Sequence, residues 1–308
     1  MAELLSLGRE IGVLFVYVFL GALGRLAGIL SVESDKVVSN IIFYFTMPAL
    51  TIASMSLSVN TSQLYEGLLV LISAIVLVCL SYSFVVFVSR VFKIGGKMRD
   101  AFCFGSMFGN VTYLGFPICY LLFGKIGIFY AALYSLGHNL LFWTMGVWII
   151  GKKDERHIKW SDILNINVIS IAVGSLLAVT HISVPNILLQ PLNGLGEATV
   201  PLALMLVGSM MADEGGRMLV PNKLASLSAA VKLVVLPGLT LLLLRALPFI
   251  APIAKTVVLL EMGMPAAALA PAVARKYDGA YNFLSQVVVV TTLISLIIVP
   301  VLAWLSTY

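Results

Sequence analysis

Gly109-Asn110-Val111-Thr112-Tyr113-Leu114-Gly115-Phe116-Pro117 and Gly263-Met264-Pro265-Ala266-Ala267-Ala268-Leu269-Ala270-Pro271 decide how this chain folds. Each sits in the middle of a long apolar stretch. Proline lacks a backbone donor and crowds the preceding turn, so each segment is predicted to interrupt a helix at membrane depth. The two lie in corresponding positions of the two halves of the sequence. A pair of Gly/Pro-broken apolar segments, one per half, is the sequence sign of the binding site in a secondary transporter.

Outward from these segments the chain reads as membrane protein. Of its 308 residues 60% are hydrophobic and 11% charged, and the mean hydropathy is +1.05. A soluble domain carries about 25% charged residues. Apolar runs near the ~20 residues that cross a hydrocarbon core recur from end to end. Ten spans are predicted: 11–30, 37–57, 67–89, 101–123, 126–150, 163–182, 188–212, 224–247, 253–274 and 281–304. The first run lacks a preceding basic region and a clear cleavage site, so it is read as a retained span and not a signal peptide.

The net charge of +5 does not mark a nucleic-acid protein, because the charges alternate by loop. Of 19 Lys and Arg residues, 14 fall in the connections after spans 1, 3, 5, 7 and 9, and 4 on the opposite side. Lys- and Arg-rich loops stay cytoplasmic, which places both termini outside the cytoplasm of an inner (plasma) membrane protein. Cys79, Cys103 and Cys119 all lie in apolar spans, as small hydrophobes do. The sequence holds no metal-ligand spacing, no HExxH, no GxSxG and no Walker loop. The expectation is therefore a protein that is neither an enzyme nor an ATP-driven pump, with no cofactor and no metal.

A common offset near 150 residues divides the chain. Pro48 and Pro201 are 153 apart, Arg90 and Arg245 155, Pro117 and Pro265 148, and His138-Asn139 and Thr291-Thr292 153. The predicted units are residues 1–150, a cytoplasmic connector 151–162, and residues 163–308. Each unit holds five spans, an odd number, so the second copy enters the membrane from the opposite side: an inverted repeat. The fold expected is an all-α membrane protein of ten helices, with broken helices 4 and 9 crossed. Half-helix N-termini at the breaks present unpaired N–H groups and a positive dipole end, which suits an anion such as a carboxylate.

Candidate residues follow, each with its structural alternative. Asn110 either binds the carboxylate or bridges two helices. Thr112 and Tyr113 are weaker candidates, since Thr also satisfies its own helix. Gly115, Pro117, Gly263, Met264 and Pro265 form the crossover. His138 is either the carrier of a coupled proton or a neutral side chain packed between helices, and Asn139 beside it completes the cavity. Glu261 lies either at the break, as a second coupling candidate, or near the outer surface. Lys232 either snorkels inward or draws anions from the cytoplasm.

The run from Asn110 to Pro117, followed by Phe123-Gly124, resembles the N-x-x-x-x-G-x-P signature of the auxin efflux carrier family. Met264-Pro265, Pro271, Ala274, Tyr277, Thr291-Thr292 and Pro300 look like its C-terminal stretch, and Lys232 to Pro237 and Pro201 to Leu204 are similar too. That family includes bacterial permeases for malonate and malate and the plant PIN auxin exporters. The resemblance implies a fold related to the bile acid:sodium symporters and an elevator motion against a scaffold. It implies Asn110 as the crossover asparagine and, by analogy, a homodimer through spans 1, 2, 6 and 7. The long central loop of the plant exporters is absent, which favours a compact permease. The expected partners are a small organic anion and membrane lipid. Coupling stays open between a proton, sodium in the manner of the bile-acid group, and none.

Overall fold

In a computed structural model, residues 2–56, 60–151, 164–180, 182, 184–218 and 223–306 are described. The connector expected at 151–162 lies outside them apart from Gly151.

Helix α1 (Ala2–Leu26) ends in a turn at Gly28, whose φ of 73° suits a residue without Cβ. Ser31 and Ser34 then form a capping box that starts α2 (Val32–Ile41). A π-helical turn, Ile42–Thr46, leads into α3 (Met47–Met55). Asn60 and Gln63 cap α4 (Thr61–Val91) in the same reciprocal way. Helix α5 (Gly96–Met107) stops at an irregular Phe108–Asn110, and a second π turn, Val111–Gly115, opens α6 (Phe116–Leu141). Inside α6 the chain turns sharply at Gly124 (φ 60°, ψ −145°), which separates the end of expected span 4 from span 5. A third π turn, Phe142–Gly146, precedes α7 (Val147–Ile150). There follow α8 (Ile166–Thr180), α9 (Asn186–Glu197), α10 (Thr199–Met218) and α11 (Lys223–Ala230). The π turn Val231–Val235 joins α11 to α12 (Leu236–Arg245). Then come α13 (Pro252–Met262), an irregular Gly263–Leu269, α14 (Ala270–Lys276) and α15 (Tyr281–Leu305).

Among the described residues, six apolar helical stretches are long enough to cross a membrane: Val32–Met55, Thr61–Val91, Val111–Ile150, Asn186–Ala212, Lys223–Arg245 and Tyr281–Leu305. Two shorter apolar helices, Gly12–Leu26 and Ile166–Thr180, fall on expected spans 1 and 6. Their outer faces carry large apolar side chains such as Phe19, Phe87, Leu176, Leu242 and Ile297, all exposed, which suits contact with lipid.

The prolines correct one expectation. Pro117 does not break its helix, and neither do Pro48 or Pro237. Each stands second in the helix that follows a π turn. A proline ring crowds the carbonyl four residues back, here that of Tyr44, Tyr113 or Leu233, each inside the π turn. Widening that turn relieves the crowding and keeps the chain helical. Pro265, by contrast, lies within a real interruption.

The helices pack in two groups. In one, α1 lies along α10, α2 touches α10, and α3 packs on α8 and α9. Gly21 and Gly208 set the α1–α10 approach, because a Cβ on either would run into the partner backbone at Met205 or Val18. In the other, α4, α5, α6, α13 and α15 pack together, with α11, α12 and α14 against them. Contacts of α6 with α3 and α10 join the two groups, and the cavity lies along that junction.

Candidate functional site

The two irregular segments meet in antiparallel pairing at Gly109 and Ala266. The Asn110 N–H donates to the Pro265 carbonyl at 2.7 Å, and the Ala267 N–H to the Phe108 carbonyl at 3.0 Å. Backbone freed at membrane depth must find partners within the protein, and here it does. The Gly109 N–H donates to His138 Nε2 at 3.2 Å, and the Ala266 N–H to Thr291 Oγ1 at 3.0 Å. The carbonyls that end α5 and α13, Met107 and Met262, both accept from Lys232 Nζ, at 3.1 and 3.2 Å. Lys232 therefore does not snorkel. It is fully buried, and its ammonium sits where two helix C-termini direct their negative dipole ends.

Behind the crossing is a second buried ionisable side chain. Glu261, in the last turn of α13, is fully buried and not at the outer surface. Its Oε1 accepts from the Cys119 thiol at 3.6 Å, and its Oε2 has no hydrogen-bond partner. Lys232 acts on it electrostatically. Gly115 presses against this carboxylate: a Cβ there would stand 2.6 Å from Oε1.

In front lies a cavity of about 240 Å³. Its polar wall is Asn110, Thr112, Tyr113, Ser135, His138, Asn139, Asn165 and Asn167; its aromatic wall is Phe43, Tyr44, Phe116, Phe142 and Trp143. Ala267, Ala268 and Leu269 close the side of the second irregular segment. Among the described residues that line it there is no Lys, Arg, Asp or Glu. Three of the four π turns contribute to this wall, since a π turn splays side chains that a regular helix would stack.

Several of these side chains are held in place. Asn110 Oδ1 accepts from the Tyr113 N–H at 3.2 Å and so caps the turn that follows it. The Tyr113 hydroxyl is 3.1 Å from Ser39 Oγ. Because His138 Nε2 accepts, its ring proton is assigned to Nδ1, which lies 3.4 Å from Asn139 Oδ1. The imidazole stands edge-on to Phe108, with ring centroids 5.5 Å apart. Asn165 Oδ1 caps α8 by accepting from the Asn167 and Val168 N–H groups at 3.1 and 3.2 Å.

The structure thus brings Asn110, Thr112, Tyr113, His138 and Asn139 together on one cavity wall. Gly115, Pro117, Gly263, Met264 and Pro265 are not on that wall; they build the crossing or the helix start beside it. Sequence reading passed over Asn165 and Asn167. The signal was available: Asn165-Ile166-Asn167 puts two amides at the head of an apolar span. Among the described residues no cluster of His, Cys, Asp and Glu could hold a metal ion.

An apolar, all-helical chain whose interrupted helices cross beside a polar cavity has the build of a membrane transporter. The sequence belongs to the membrane transport protein family, of auxin efflux carrier type, whose pattern matches residues 10–158 and again residues 153–303. An uncharacterized transporter of Methanocaldococcus jannaschii is 25% identical over 305 residues, covering 95% of this chain and 96% of that protein.

Proposed function

We propose that this protein is a secondary transporter that carries a small organic anion, a mono- or dicarboxylate, across the membrane by elevator-type alternating access. The observation that carries this reading is the wall formed by Asn110, Asn139 and the backbone start at Val111. It offers amide donors and a helix N-terminus to one cavity, with no acidic side chain among the described lining residues to repel an anion. Thr112, Tyr113 and His138 complete the contact surface, while Gly115, Pro117, Gly263, Met264 and Pro265 keep the crossing in shape. The aromatic wall covers the apolar body of the substrate. The two helix groups would be scaffold and moving domain, with the cavity on the boundary that an elevator step must alter.

The ten-span inverted repeat is supported by matching backbone chemistry. His138 and Thr291, 153 residues apart, each accept the N–H of an irregular segment, at Gly109 and Ala266 respectively. The charge pattern favours an inner-membrane protein with both termini outside the cytoplasm. A homodimer through the α1–α10 group is the assembly this reading favours.

Sodium coupling is the rival reading. Against it stands Lys232: the carbonyls that two interrupted helices would offer a sodium ion already hold an ammonium. His138 and Glu261 are the groups through which a proton would be coupled. Uptake of labelled malonate, malate and indole-acetate into proteoliposomes, with and without sodium and pH gradients, tests these readings. Asn110→Ala is expected to lower uptake at least about tenfold, the effect of removing one charge-assisted hydrogen bond. Unchanged uptake would remove Asn110 from the site, and flux that needs a sodium gradient would install the rival.

A further inference from the structure

We infer that Lys125 and Asn193 form a latch between the two helix groups, closed at the end of the molecule away from the cavity, that must open in each transport step. This rests on the elevator reading above. Lys125 Nζ donates to Asn193 Oδ1 at 3.0 Å. Lys125 belongs to α6, in the group built around the crossing, and Asn193 to α9, in the group of α3 and α8. The bond therefore spans the boundary that an elevator step shears. Its place in the chain puts it at the far end of that boundary. Lys125 directly follows the turn at Gly124, and a Cβ on Gly127 would run into the Cys119 carbonyl, so the two arms of α6 lie close together. On these arms the nearest cavity residues are Phe116 and Ser135, eight and eleven residues from Gly124. A helix rises about 1.5 Å per residue, which sets the cavity about 12–16 Å from the turn. That end is the side poor in Lys and Arg, predicted to lie outside the cytoplasm.

The bond has the chemistry of a contact made to break. The ammonium is half-buried and forms no ion pair among the described residues. Glu197, four residues further along α9, is exposed and does not reach it. Lys125 is held instead by a neutral amide oxygen, a weaker acceptor than a carboxylate. Both partners border water, so parting the groups exchanges one hydrogen bond for others and strands no buried charge. Lys232 is the contrast. It is fully buried, and the two carbonyls that hold it belong to its own helix group, so a slide between the groups leaves it in place. A second bond across the boundary, between the Tyr113 hydroxyl and Ser39 Oγ at 3.1 Å, involves no charge and lies beside the cavity. The charged contact thus stands at the closed end of the boundary and the cavity at the other.

The test uses the full-length protein carrying Cys79→Ser, since Cys103 and Cys119 are buried. Spin labels at Leu68→Cys and Leu188→Cys, two exposed positions, report the distance between α4 and α9. Lys125→Ala and Asn193→Ala are each expected to raise the population of a second distance at least about threefold. Lys125→Arg, which keeps the charge and the donors, should stay near the parent. Asn193→Asp turns the amide contact into an ion pair. It should lower the second population and slow malonate uptake into proteoliposomes about three- to tenfold, and adding Lys125→Met should undo the slowing. A bond that merely stiffens the fold would not give opposite signs for Ala and Asp at one position. Distances that ignore the Ala and Asp substitutions, or uptake unchanged by Asn193→Asp, overturn the latch and leave the transport proposal standing. If no variant carries any carboxylate, the organic-anion proposal falls, and the distances still decide the latch.

Discussion

The crossing has two faces built on the same two backbone segments, and they are chemically opposite. The front carries amides, hydroxyls and aromatic rings around a cavity, with no charged side chain among the described residues of its wall. The back carries a fully buried lysine and a fully buried glutamate, packed around Gly115 and Cys119. The difference follows from which backbone ends point where. Helix C-termini leave carbonyls, which a cation satisfies; helix N-termini leave N–H groups, which an anion satisfies. At the back the cation is supplied by the chain itself, as Lys232. At the front Asn110 covers one N–H and the rest of the wall is left for a ligand. On the proposed function the back is architecture and the front is recognition, a division that mutations can break.

Lys232→Met gives the largest expected effect. It strands the Met107 and Met262 carbonyls and removes the electrostatic influence of Lys232 on buried Glu261. Each buried carbonyl left without its donor costs about 1–3 kcal/mol, and two are stranded at once. Thermal unfolding in detergent reads this loss, and adding Glu261→Gln should restore part of it. A Lys232→Met protein of wild-type stability would show that the lysine does not hold the crossing. Gly115→Ala comes next, at about 1–3 kcal/mol, the usual cost of overpacking. The added methyl meets the Glu261 carboxylate, so Glu261→Ala in the same chain should relieve most of the penalty. Equal penalties with and without Glu261 would place the strain elsewhere.

This division was only half legible in the sequence. The pair of broken segments could be read, because glycine and proline in the middle of an apolar run have few other uses. The position of the first break could not. Pro117 marked it seven residues late, since a proline in the first turn of a helix asks only for a wider turn before it. Three of the π turns precede Pro48, Pro117 or Pro237, but a proline signals a widened turn only once the helix is known to continue through it. Asn110, His138 and Asn139 could be picked out as polar residues in apolar spans, and they do meet at one cavity. Which of them faces a ligand and which serves the backbone depends on partners more than a hundred residues away, such as Pro265 for Asn110. Lys232 looked like a snorkelling side chain because nothing local says that two helix ends converge on it.

Thr291→Val probes the support shared by both faces. It removes the acceptor of the Ala266 N–H and is expected to cost about 1–2 kcal/mol. His138→Phe, which takes the acceptor from Gly109, should cost a similar amount if the two residues are equivalent supports. Unfolding measurements that differ widely between the two would argue that the halves are not held by matched chemistry.

The smallest expected stability effect belongs to the residue expected to matter most for transport. Asn110 uses its Oδ1 to cap the turn at Tyr113, and losing a cap costs about 1 kcal/mol. Asn110→Ala should therefore unfold close to the wild type and well above Lys232→Met, while its uptake falls by the tenfold or more expected of a ligand contact. Asn110→Ser separates the two roles further. Its hydroxyl can still cap the turn, so stability should return, but it lacks the amide NH₂ that faces the cavity, so uptake should stay low. If stability and uptake instead rise and fall together across the three side chains, Asn110 serves the backbone alone, and the front of the crossing loses its claim to be the recognition face.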